Sequence, residues 1–151
     1  MLALTITPAT AQRPDSLVVE TPERRVVLTA ADLAALPRDT ATVSFHEAPA
    51  RHYEGVPVHA LLREAGVRAD STRGRALGLR VVVEAADGYR VVLSLAELDP
   101  TLPDRRALLA DQVDGAPLPG NEAPFRLLLV GDPRHNRWAR QVVAIRVRAE
   151  D

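Results

Sequence analysis

The residues best able to do chemistry gather late in the chain. Arg126, Arg134, His135, Arg137 and Arg140 form its densest cationic stretch, and Trp138, the only tryptophan, sits inside it. A guanidinium presents a planar fork of donors that matches phosphate, sulfate or carboxylate, so several around one loop make a clamp for a small anion. An indole among them can wall a pocket by stacking on a guanidinium or a flat ring, or can anchor the core ahead of a last strand. The competing reading of the arginines is surface pairing with acids such as Asp132 and Glu122. Arg126, His135, Arg137, Trp138 and Arg140 are therefore the candidate ligand-binding set.

Elsewhere the chemistry thins out. His46, His52 and His59 are spaced by six and seven residues, which gives neither an i,i+4 helical pair nor alternate strand positions, so they read as loop histidines and no metal site is expected. Ser94 lies in no nucleophile-elbow motif and reads as a helix cap, which leaves no candidate catalytic residue. Asp87 is accounted for by turn chemistry, and the ring of Tyr89, at the start of a return strand, is expected to be packed. The chain has no cysteine, which removes disulfides, thiolate nucleophiles and cysteine-ligated metal centres. Neither common glycine-rich phosphate loop is present.

With 151 residues, 46% hydrophobic and 26% charged, the chain has the size and composition of one globular domain. A net charge of −1 and 3% aromatic residues argue against nucleic acid as a partner. All 19 basic residues are arginine, a bias most simply compositional. No stretch approaches the ~20 apolar residues of a membrane helix. Residues 1–11 read as the remnant of a secretion signal: residues 1–6 are apolar, Pro8 follows, and Ala9 and Ala11 have the A-x-A spacing of a cleavage site. That reading places the domain at residues 12–151 and the protein in the periplasm or outside the cell, with a cytoplasmic location as the alternative.

The elements that must position the candidates are mostly strands. Val18 and Val19, then residues 25–28, read as short strands on either side of a turn at Thr21 and Pro22. Thr29 and Asp32 form a capping box for a helix that Pro37 stops. Residues 40–45 alternate as a half-buried strand, and Val58, Leu61, Leu62 and Ala65 share a helical face closed by Gly66. Residues 79–85 and 91–93 flank Asp87-Gly88, which predicts a two-residue hairpin. Ser94 and Glu97 predict a second capping box. Residues 108–113, 125–130 and 142–147 complete the strands. Short helices interspersed among more numerous strands predict an α+β fold of mixed or antiparallel sheet, without regular βαβ alternation.

Four of these segments, in order, resemble the oxidoreductase molybdopterin-binding domain family, which has the sulfite-oxidase-type fold. They are Tyr53-Glu54-Gly55-Val56-Pro57-Val58 with Leu61-Leu62 and Ala65-Gly66; Ala86-Asp87-Gly88-Tyr89 with residues 93–98; residues 114–119; and Pro124-Phe125-Arg126-Leu127 through Gly131-Asp132 to Arg137 and Arg140. The resemblance implies a pyranopterin-bound molybdenum held by one protein thiolate on the strand before the Gly-Val-Pro stretch. Here that strand reads Thr42-Val43-Ser44-Phe45-His46, so Phe45 or a neighbour stands in the thiolate's place. Ser44 and His46 are the alternative oxygen and nitrogen ligands. The family's pterin-binding histidine is also missing from residues 121–126, and Trp138 replaces a serine between the two cations Arg137 and Arg140.

The expectation is thus a minimal molybdopterin-binding-domain-like protein that binds an anionic or pterin-like ligand without redox chemistry of its own, with molybdopterin the cofactor that the resemblance implies. Two alternatives remain open. One is a molybdopterin-dependent oxidoreductase with non-thiolate ligation or a redox partner protein. The other is a structural or protein-interaction module that has lost the pocket.

Overall fold

A computed structural model describes residues 15–70 and 72–149; residues 1–11, read above as a signal remnant, lie outside them. The fold is mixed α+β, with ten strands in two sheets and two short α-helices among the described residues. No helix among them is long and apolar enough to cross a membrane.

The first sheet has the order β2-β1-β10-β5-β6, built from β1 (Leu17–Glu20), β2 (Arg25–Leu28), β5 (Arg80–Ala85), β6 (Arg90–Ser94) and β10 (Val142–Arg148). β1 and β10 run parallel and every other pairing is antiparallel. The second sheet joins β3 (Asp39–Val43), β4 (Arg51–Pro57), β7 (Arg106–Val113), β8 (Ala116–Pro117) and β9 (Arg126–Val130). β7 is its spine, pairing with β4 along one edge and with β8 and β9 along the other.

Alternation sets the core. In β5 and β6, Val81, Val83, Val91 and Leu93 are buried while Arg80 and Arg90 are exposed, so one face turns inward and the other meets water. Those residues join Leu17, Val19, Ile145 and Val147 in one cluster with Leu108, Leu109, Leu127 and Leu128 of the second sheet. α2 (Val58–Glu64) adds Val58, Leu61 and Leu62. β9 is buried along most of its length, which fits its unbroken apolar run.

Local chemistry fixes the ends of the elements. Thr29 and Asp32 form the reciprocal capping box at α1 (Ala30–Ala35), and Leu36, held extended before Pro37, terminates it. Ser94 and Glu97 do the same for a 3₁₀ turn over Leu95–Leu98. Asp114 (φ 50°) and Gly115 (φ 77°) make the two-residue turn between β7 and β8, the doubly left-handed type that matches strand twist. The hairpin at Asp87-Gly88 differs from expectation. Ala85 and Tyr89 still pair, the Ala85 N–H donating to the Tyr89 carbonyl, so Ala86 joins the loop and makes it three residues. Gly88, at φ 87°, is then the left-handed residue that closes a type I turn with a bulge. The Tyr89 ring is half exposed rather than packed.

Candidate functional site

An open cavity of about 1420 Å³ lies where the end of β3, the β5–β6 turn and the loops on either side of β9 converge. Its floor is a buried triad. Arg126, the first residue of β9, donates from Nη1 to Glu122 Oε1 at 2.6 Å and to the Tyr53 hydroxyl at 3.4 Å. Tyr53 Oη in turn donates to the Glu122 carboxylate at 3.3 Å. Burial pushes the Tyr53 hydroxyl above the ordinary phenol value; the nearby Arg126 charge opposes that and Glu122 reinforces it. Tyr53 reaches this point because it is an inward residue of β4.

Aromatic rings line the wall above the floor. The Phe45 ring lies 4.1 Å from the Arg126 guanidinium carbon. It meets His135 edge-on at 5.0 Å and Trp138 at 5.4 Å between centroids. His135 and Trp138 are 4.5 Å apart, held by the 3₁₀ turn His135–Arg137, and His46 faces His135 at 6.0 Å. Two donors here are buried with no acceptor among the described residues, Arg126 Nε and Trp138 Nε1. Such orphans are rare in native proteins, because a buried N–H without a partner costs about 1–3 kcal/mol.

The rim is cationic. Arg51 is committed to Asp114, whereas neither Arg134 nor Arg140 has an ion-pair partner among the described residues, and both side chains line the cavity. Gln141 ties the rim together from a left-handed backbone (φ 55°). Its N–H donates to the Glu122 carbonyl, its carbonyl accepts from Ala86 N–H, and its side chain donates to the Gly120 carbonyl. His46, at φ 56°, is the second non-glycine cavity residue in that conformation. Backbone strain of this kind concentrates where a fold must hold a site open.

The structure brings Arg126, His135, Trp138 and Arg140 of the candidate set to this one cavity. Trp138 is both core and wall: it is only 5% exposed and still lines the space. Arg137 goes elsewhere. Its guanidinium bridges Asp132 and Glu97, each at 3.2 Å, and lines a separate cavity of about 120 Å³ beside Leu93 and Leu98. The expected surface pairing thus holds for Arg137 with Asp132, while Arg126 and Glu122 pair in the interior. Phe45, Tyr53 and Glu122 were not in the candidate set. The signals for them are the four-residue spacing of Glu122 and Arg126 and the place of Phe45 where the resemblance puts a metal ligand.

The Arg137 bridge makes its own prediction. Burial pushes the Glu97 carboxyl up, but hydrogen bonds from Ser94 and the Arg137 charge outweigh it and hold the group below the ordinary value. A depressed folded-state value stabilises the fold above the unfolded pKa, and that stability is lost as pH falls through the folded pKa. Glu97→Gln is therefore expected to lower the melting temperature at pH 7, with the gap to wild type closing below about pH 4. Arg137→Ala should cost no more than about 1 kcal/mol, as partly exposed pairs do, and leave ligand binding in the large cavity unchanged.

Ser44 and His46, the alternative metal ligands, both lie on the cavity wall. The Ser44 hydroxyl is already spent on the Ala48 carbonyl, and His46 packs against His135. Neither a scan against protein-family models nor a search of the curated proteins finds a match for this chain.

Proposed function

We propose that this protein is a ligand-binding domain without redox chemistry of its own, and that its ligand is flat and anionic, pterin-like in outline. One observation carries the reading: the large cavity sets aromatic rings, two guanidinium groups with no ion-pair partner and two buried donors with no acceptor, all among the described residues, around one space. Rings favour a flat body by stacking, and the rim arginines Arg134 and Arg140 favour a phosphate or carboxylate. Arg126 Nε and Trp138 Nε1 suit acceptor atoms on the body's edge. The sulfite-oxidase-type domain and export from the cytoplasm belong to the same proposal, the first supported by the ordered motifs and the α+β architecture, the second by residues 1–11.

The donor set bears on the molybdopterin that the resemblance implies. Arg126, His135, Trp138 and Arg140, which line the cavity, are the residues that would hold its pterin and phosphate. A soft metal does not find its usual partner, since the chain offers no thiolate, and the Ser44 hydroxyl and His46 imidazole at that strand end are harder donors. The fit is to the organic part alone.

Trp138 is the only tryptophan, so its emission reports on the site directly. Titration with pterin-6-carboxylate is expected to quench it saturably and to raise the melting temperature, with weaker binding at high salt. Arg134→Ala and Arg140→Ala should each weaken binding about tenfold, the worth of one charge-assisted hydrogen bond. An unsaturable response with an unmoved melting temperature would overturn the reading. Stoichiometric molybdenum turning over in the isolated chain would favour the oxidoreductase instead.

A further inference from the structure

Phe45 is oddly placed for a loop residue. Within residues 44–50 every other side chain is exposed, and Phe45 alone turns inward. The turn is held by the left-handed backbone of His46 and by the Ala48 N–H donating to the Phe45 carbonyl. The ring then sits among Arg126, His135, Trp138 and Tyr53. These are the groups a flat ligand would stack on. The phenyl turns its face to the Arg126 guanidinium and meets Tyr53, His135 and Trp138 edge-on, but it offers no lone pair, and Arg126 Nε and Trp138 Nε1 are left without acceptors among the described residues.

We propose that Phe45 is a built-in plug, its ring occupying the stacking place of the ligand's own ring, and that the ligand enters by turning the 44–50 loop outward. The proposal rests on the binding reading above and adds its regulation. The plug is weak by construction, because the ring is only partly buried and its anchor is a cation–π contact with a charge that Glu122 already neutralises. A heterocycle carrying acceptor atoms makes the same stack and also uses the orphaned donors, so it displaces the phenyl. Every ligand nevertheless binds against the free energy of expelling the plug, and its apparent affinity is reduced accordingly.

Calorimetric titration of wild type, Phe45→Ala and Phe45→Leu with pterin-6-carboxylate and with benzoate tests this. Phe45→Ala is expected to bind pterin-6-carboxylate about three- to tenfold more tightly than wild type, the factor a partly exposed cation–π contact represents. Benzoate should bind Phe45→Ala and not wild type, its ring refilling the vacated place. Phe45→Leu keeps bulk but loses the stack and should lie between the two, which preserves the test if the alanine variant folds poorly. Equal affinity in wild type and variants, or weaker binding by the variants, overturns the plug while leaving the binding site standing. No binding by any of the three proteins removes both.

Discussion

Gly55→Ala is expected to yield a chain that does not fold. A Cβ at Gly55 would lie 2.0 Å from the Leu109 carbonyl oxygen and 2.6 Å from the Ala110 Cα. Both are backbone atoms of β7, the spine of the second sheet, so no side chain can swing aside to make room. Gly55 sits where the register between β4 and β7 shifts, and bulges are where glycine lets two backbones approach this closely. Relief requires β4 to part from β7, and β4 also carries Tyr53 into the site. The cost should exceed about 4 kcal/mol, a large share of the 5–15 kcal/mol that holds such a domain together. Far-ultraviolet circular dichroism and soluble yield are sufficient readouts. Gly78→Ala is the control: a Cβ there meets nothing within 4 Å, and its effect should stay within about 0.5 kcal/mol.

The second large effect belongs to the cavity floor. Arg126→Met should destabilise the protein by about 3–5 kcal/mol, because it leaves the Glu122 carboxylate buried without its cation. Glu122→Gln should do comparable damage by stranding Arg126. The double variant Glu122→Gln/Arg126→Met should be more stable than the sum of the two losses predicts, since it leaves no lone charge inside. Denaturant unfolding of the four proteins gives the coupling energy directly. Pterin-6-carboxylate binding should be lost in every variant that lacks Arg126, including the double variant, which separates the arginine's role in the site from its role in the fold.

The parts of this molecule readable from sequence are those whose causes lie within a few residues. Thr29 with Asp32 and Ser94 with Glu97 are capping boxes closed inside one turn, and both occur where the spacing placed them. Pro37 stops α1 through its steric demand on Leu36. The β5–β6 turn shows the limit of such reading. Asp87-Gly88 correctly marks a turn, but whether Ala86 belongs to the strand or the loop depends on the pairing of Ala85 with Tyr89. The expected packing of Tyr89 fails as well, since its ring is half exposed at the end of the sheet and lines the cavity.

The site divides in the same way. Arg126, His135, Trp138 and Arg140 are near neighbours in the chain, so composition was enough to single them out. It was not enough to orient them: Arg137 precedes Trp138 directly, yet the 3₁₀ turn sends it to Asp132 and Glu97 while Trp138 enters the cavity. Phe45, from the loop after β3, and Tyr53, from β4, stand some 73 to 95 residues before the cluster they complete. Of the histidines read as loop residues, only His46 lies in a loop: β4 carries His52 and α2 carries His59, and it is the pairing of β4 with β3 and β7 that directs Tyr53 inward.

The parallel pairing of β1 with β10 has a consequence for how the chain acquires its shape on the ribosome. β10 is the last of the described strands in chain order, and it lies between β1 and β5. Until Val142–Arg148 has emerged, β1 and β5 each present a bare row of amide and carbonyl groups and half of an uncovered core. Between the emergence of Arg80–Ala85 and that of Val142–Arg148 the nascent chain therefore carries two sticky borders, a state open to capture by neighbouring polypeptides. Closure is a long-range event that the final strand triggers, so β10 acts as the keystone of the first sheet.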